Sequence, residues 1–167
     1  PYLDNPDRDS ALAARTTLRR PPMRRGWRDE LSAHGQCQCG AVRYTIAAGP
    51  MKSVICHCRM CQRATGNGFA PLLEALSTAF TWEGTPAEWA SSDVATRGFC
   101  PTCGTPLYYK SGDTTEVMAG TLAPGFDFRP IEQIAVESRQ PWVMTAHALP
   151  EIPTPASWAV TSYQSPE

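Results

Sequence analysis

Apolar and polar residues alternate over short stretches of this chain and nowhere sustain a long helical period. Ala41-Val42-Arg43-Tyr44-Thr45-Ile46 alternates and is rich in β-formers, which predicts a strand. Gly49-Pro50 is expected to turn the chain, and Val54-Ile55 to lead into the next segment. Arg59 to Thr65 has the length of one short helical stretch, ended by Gly66-Asn67-Gly68. Short β-type pieces are predicted around 69–73, 78–82, 87–91 and 94–99, with Gly, Pro, Asn, Asp and Ser between them. Pro106 to Lys110 and Thr115 to Ala119 predict a hairpin about Ser111-Gly112-Asp113, and Ile131 to Ser138 a late strand. Many short strands with frequent turns predict an all-β domain, with short helical turns only.

The ends break this pattern. Residues 1–33 hold seven arginines (8, 15, 19, 20, 24, 25, 28) against five acids (4, 7, 9, 29, 30), and Pro21-Pro22 interrupts any helix across them. They read as an Arg-rich N-terminal extension, draped over the surface or packed on a second copy as a homo-oligomer arm. Residues 34–150 form the predicted domain, and 151–167 a Pro-rich segment wrapping the surface irregularly.

The 167 residues fit one domain, and a hydrophobic content of 42% is enough for a core. A net charge of -1 argues against a dedicated nucleic-acid binder, whose domain is usually strongly basic. No apolar run approaches the roughly 20 residues that span a bilayer, and none near the start resembles a signal peptide. An odd number of closely spaced cysteines fits a reducing compartment and metal better than disulfides, which makes the expected location cytoplasmic.

Composition changes the picture most at cysteine. All seven stand in three clusters: Cys37-Gln38-Cys39, Cys56-His57-Cys58-Arg59-Met60-Cys61 and Cys100-Pro101-Thr102-Cys103. Cys37 and Cys39 sit two apart at the mouth of a strand, so both sulfurs can face one ion. Cys100, Cys103 and Gly104 read as a zinc knuckle. The two pairs lie about 60 residues apart, so a shared ion would close a large loop. These four cysteines fit a structural zinc. Reduced core cysteines are the plainer alternative, and a redox pair is disfavoured because no βαβ pattern surrounds Cys100 and Cys103.

Cys56, Cys58 and Cys61 leave a tetrahedron one ligand short. A three-ligand zinc keeps a position for water, hydroxide or a thiolate, which is the pattern of a reactive site. The alternative is a structural site completed by a ligand elsewhere. His57 lies between two ligands and is expected to point away, as a hydrogen-bonded packing residue. Arg59 and Arg63 are one helical turn apart and can share a face beside the metal, where they could neutralise an anionic substrate. Asn67, in the turn after Cys61, can approach the same anion. Two zinc ions per chain are therefore expected.

The clusters together resemble the glutathione-dependent formaldehyde-activating family, also called Gfa or centromere-protein-V-like. The matching residues are Cys37-Gln38-Cys39-Gly40-Ala41-Val42-Arg43-Tyr44, then Cys56-His57-Cys58-Arg59-Met60-Cys61-Gln62-Arg63, then Gly98-Phe99-Cys100-Pro101-Thr102-Cys103-Gly104-Thr105-Pro106-Leu107. Met118-Ala119-Gly120-Thr121-Leu122 and Ser138-Arg139-Gln140-Pro141-Trp142 also look like family segments. The resemblance implies an Mss4-like fold of stacked antiparallel sheets clamped by zinc. It implies a structural site at Cys37, Cys39, Cys100 and Cys103, and a catalytic one at Cys56, Cys58 and Cys61. The reaction it implies joins glutathione and formaldehyde into S-(hydroxymethyl)glutathione, a carbon–sulfur lyase reaction run in reverse. One departure stands out: where family members often carry a His-Ile-Trp-like run, this chain has Glu132-Gln133-Ile134-Ala135.

The leading expectation is a zinc enzyme of thiol–carbonyl chemistry, its partner a small thiol or carbonyl compound. The second is a zinc-stabilised protein-binding module without catalysis. A third is a zinc enzyme acting on another small substrate through zinc-bound water. An enzyme should show three sulfurs beside a pocket; a module should show four protein ligands or no pocket.

Overall fold

The computed structural model describes residues 27–166, without the side chains of Asp29 and Glu30. The fold is all-β: nine strands, one α-helix and short 3-10 turns among the described residues. In chain order the strands are β1 (Arg28–Gln36), β2 (Arg43–Cys56), β3 (Ala70–Leu76), β4 (Phe80–Glu83), β5 (Ala87–Ala90), β6 (Ala95–Phe99), β7 (Pro106–Ser111), β8 (Thr114–Met118) and β9 (Glu132–Ile134). The helix α1 spans Arg59–Thr65.

Strand β2 holds the architecture together. Its first half pairs with β1 on one side and β4 on the other. Its second half pairs with β3 and β9, and the sheet continues β3-β8-β7-β6-β5. The expected turn at Gly49-Pro50 does not form; the strand runs through it. The β1–β2 ladder shifts register between Arg28 and Leu31 and between Leu31 and Ala33, opposite this segment. A proline has no N–H to give the ladder and is tolerated where pairing is irregular. Beyond Pro50 both faces of β2 are covered: Ser53, Val54 and Cys56 are all buried. The late strand is shorter than expected, and β9 runs parallel to β2, so the ladders are not all antiparallel.

Strand β1 crosses the boundary placed at residue 33. Leu31 and Ala33 face the core, but two small apolar positions among polar ones leave a weak sequence signal. Residues 1–26, which hold most of the Arg-rich extension, lie outside the described residues. The Pro-rich segment is largely exposed, yet Ser165 N donates to Gln38 O at 2.8 Å and Gln36 Nε2 to Pro166 O at 3.1 Å.

Alternation sorts the strand residues onto two faces. On one face Tyr44, Ile46, Leu73, Ala75, Tyr108 and Val117 form the main core, joined by Leu107 near the irregular β6–β7 pairing and by Cys37 and Cys100. On the other, Val54, Ala70, Leu72 and Met118 form a smaller cluster with Cys56 and Cys61. Leu72 and Leu73 are neighbours on β3 and belong to opposite faces, as do Val117 and Met118 on β8. The two cysteine clusters thus sit in separate apolar environments.

Candidate metal centres and the cleft beside them

Cys37, Cys39, Cys100 and Cys103 converge with their sulfurs all within 4.8 Å of one another. The Cys37 and Cys39 sulfurs are 3.6 Å apart, and those of Cys39 and Cys100 are 3.8 Å apart. Val42 N donates to Cys37 Sγ at 3.3 Å, and the Thr105 hydroxyl lies 3.1 Å from Cys103 Sγ. Donors aimed at sulfur favour the thiolate form that a metal needs. All seven cysteines are free thiols. Four soft donors in this arrangement fit a tetrahedral zinc closed to solvent chemistry.

Cys56, Cys58 and Cys61 form a second group with the same 4.8 Å limit. Cys56 ends β2. Cys58 is the N-cap of α1, and its sulfur accepts from Cys61 N at 3.3 Å. Gly66 closes the helix in the left-handed region at φ 64, a conformation that glycine adopts without a Cβ penalty. A candidate ligand thus doubles as a helix cap, which explains why a seven-residue helix begins where it does. Three thiolates, with no fourth protein ligand grouped with them among the described residues, fit a metal with an open position.

His57 lies where alternation places it, turned from the sulfurs and fully buried. Its Nε2 pairs with Gln133 Oε1 at 2.9 Å, and its ring lies 6.0 Å from Phe69. Gln133 belongs to the segment that departs from the family run, so this departure fastens β9 to the metal loop. Arg59 is exposed and donates to Gln62 Oε1. Gln62 is buried, and its Nε2 donates to the carbonyls of His57 and Ser138, tying α1 to the segment after β9. Asn67 is exposed, and its Oδ1 accepts from Gly68 N within its own turn. Of the three expected substrate contacts, Arg63 lines the cleft beside α1, and Arg59 and Asn67 do not.

That cleft, about 580 Å3, lies between α1 and the β5–β6 edge. It approaches the cysteines through Arg97, which sequence reasoning missed. Arg97 is 7% exposed, and its Nη2 donates to Cys61 Sγ at 3.4 Å. Its guanidinium lies 4.9 Å from the Tyr109 ring centroid, and its Nη1 is buried without a hydrogen-bond partner. Gly98 beside it is obligatory: a Cβ there would stand 2.1 Å from the Tyr108 ring. A larger cleft, about 740 Å3, borders Cys37, but the cluster there already has four sulfurs.

Cross-strand pairing extends Arg97 into a row: Lys52, Glu74, Glu116, Tyr109, Arg97 and Trp89 lie opposite one another across six strands. Burial, then the charges of Glu74 and Cys61, pushes the Glu116 carboxyl up to about 7. The Cys61 thiol is pulled down to about 5 by its hydrogen bond with Cys56, against burial and with help from Arg97. Cys56 moves the opposite way, first through its hydrogen bond with Cys61 and then through burial. The signal available in the sequence was a single arginine in the alternating strand just before Gly98-Phe99-Cys100.

The family model described as glutathione-dependent formaldehyde-activating enzyme matches residues 32–138. A crystal structure of a Rhodobacter sphaeroides protein is similar over 60% of this chain and 98% of that one, at 21% identity and a TM-score of 0.46. No curated protein matches the chain.

Proposed function

The chain belongs to the glutathione-dependent formaldehyde-activating family, and we propose that it is a zinc enzyme that makes or breaks a carbon–sulfur bond between a thiol and a carbonyl compound. The observation that carries this reading is the three-sulfur group beside a cleft, held apart from a separate four-sulfur group. A binding module needs no such asymmetry. Joining glutathione to formaldehyde is the named instance of this chemistry. The Mss4-like arrangement, two zinc ions per chain and a cytoplasmic location belong to the same reading. No helix among the described residues is long and apolar enough to cross a membrane.

Bound to Cys56, Cys58 and Cys61, zinc would supply Lewis acidity and lower the pKa of a coordinated thiol or water. The chain's own residues do the rest. Arg97 balances the negative charge of Cys61 and holds its sulfur in place. Addition of a thiol across a carbonyl forms one S–C bond, breaks the C=O π bond and moves one proton from sulfur to oxygen. Glu116, on the same face and titrating near neutrality, is a candidate for carrying that proton. Gln62 and His57 fix the loop through backbone and Gln133 contacts.

The test is a panel of thiols and aldehydes with product detection, comparing the native protein with Cys58→Ser. Product formed by the native protein and abolished in the variant supports the reading. No product from any pair, with a fixed protein side chain found as fourth ligand of the three-cysteine metal, replaces it by the binding-module reading.

A further inference from the structure

Three observations meet at the cleft between α1 and β5–β6. First, its walls are largely apolar: Met60, Trp89, Phe99, Pro106 and Met118. Met60 is 55% and Trp89 63% exposed, so large apolar surfaces stand in water at the cleft. Second, one buried cation stands among these walls. Arg97 commits Nη2 to Cys61 and leaves Nη1 buried with no partner. A buried guanidinium N–H without an acceptor is destabilising, so this donor is free to take an oxygen. Third, the other charged side chains on the cleft wall are already engaged or solvated: the Glu88 carboxylate receives the Tyr108 hydroxyl, and Arg63 is on the exposed side of α1.

We propose that this cleft takes a small thiol or carbonyl compound with an apolar body and a single carboxylate, and that Arg97 Nη1 holds the carboxylate. The inference rests on the thiol–carbonyl reading and narrows its substrate class. Glutathione carries two carboxylates, an ammonium and two amides. A mainly apolar cleft would desolvate several of these groups without pairing them. An aryl or branched alkyl body instead covers Trp89 and Met60, and one oxyanion satisfies the orphan donor with a charge-assisted bond. Met60 is a flexible thioether and can swing aside at little cost to admit it.

The test is calorimetric titration of the zinc-loaded protein with 3-phenylpropionate, 3-phenylpropanol, acetate and glutathione. Phenylpropionate is expected to bind at least about tenfold tighter than its neutral alcohol and than glutathione. In Arg97→Gln the preference for the carboxylate over the alcohol should disappear. Should that variant not fold, Trp89→Ala on the exposed edge serves in its place. It should weaken phenylpropionate while leaving acetate unchanged. Glutathione binding tighter than phenylpropionate, a carboxylate preference surviving in Arg97→Gln, or no effect of Trp89→Ala overturns the proposal. Failure of the thiol–carbonyl reading would show separately, as absence of product with every pair while the carboxylate preference persists.

Discussion

Arg97 on β6 donates to the sulfur of Cys61 on α1 at 3.4 Å, joining a strand to a metal loop 36 residues earlier in the chain. The contact places a fixed positive charge against one ligand of the three-sulfur group. It also links the two cysteine clusters through the sequence, since Arg97 precedes Cys100 by three positions on the way into the four-sulfur knuckle.

Removing that charge should loosen the three-sulfur metal. In Arg97→Gln the Cys61 thiol becomes less acidic, so protons compete with metal more effectively. Zinc should leave this site at a pH higher by about one unit than in the native protein. Release followed with a chromogenic chelator during stepwise acidification checks this, and an unchanged release curve would count against the role of Arg97.

The two clusters should respond differently to loss of one sulfur. Cys103→Ser opens a clamp between the start and middle of the domain, and should lower the zinc content and cost roughly 3 kcal/mol or more of stability. Cys58→Ser should also lose one zinc, yet keep the N-cap bond to Cys61 N, because serine is a good cap. Cys58→Ala should cost about 1 kcal/mol more than Cys58→Ser. Elemental analysis with thermal unfolding separates the three variants.

Much of this was legible in the chain. Close cysteine spacing predicted both sulfur groups, and turn residues bracketed α1 and the β7–β8 hairpin to within a residue or two. What escaped was set by distant pairing. The Gly49-Pro50 dipeptide signals a turn locally, but β1 and its register shifts carry β2 straight through it. Leu31 and Ala33 are too few to announce a strand until β2 supplies a partner. Arg97 and Glu116 look like ordinary surface charges in an alternating strand. Only the sheet order puts them in one row beside Cys61. Arg59 and Asn67 share the cysteine loop in sequence, yet their side chains bond locally instead of reaching the cleft.

Glu116 should make stability depend on pH in an unusual direction. Its carboxyl is raised from an ordinary value near 4.5 to about 7 in the folded protein, first by burial. Between those values the folded chain keeps a proton that the unfolded chain has released. Stability is therefore greatest below the unfolded value and falls as pH rises through the window, by at most about 3 kcal/mol. Glu116→Gln should flatten this part of the profile and raise stability at pH 8. Denaturant unfolding of both proteins at pH 5, 6, 7 and 8 provides the comparison, and parallel profiles would show that Glu116 is not the group responsible.

The N-terminal extension should be separable from the domain, but only up to β1. Deleting residues 1–26 removes no metal ligand and no residue of a described strand. Zinc content should stay the same, and the unfolding midpoint should move by less than about 2 °C. Any change should appear in the oligomer size, read by light scattering, if the Arg-rich arm packs on a second copy. Deleting residues 1–36 is a different operation. It takes away buried Ala33 and the whole ladder that pairs with β2 from Arg43 to Met51. Backbone groups of Tyr44 and Ile46 would lose partners on one side, and the main core would open beside Tyr44, whose hydroxyl bonds Thr121 at 2.8 Å. The longer deletion should abolish cooperative unfolding. If both deletions leave the domain folded, β1 contributes nothing to it and the boundary belongs after residue 36; if both unfold it, residues 1–26 are part of the core.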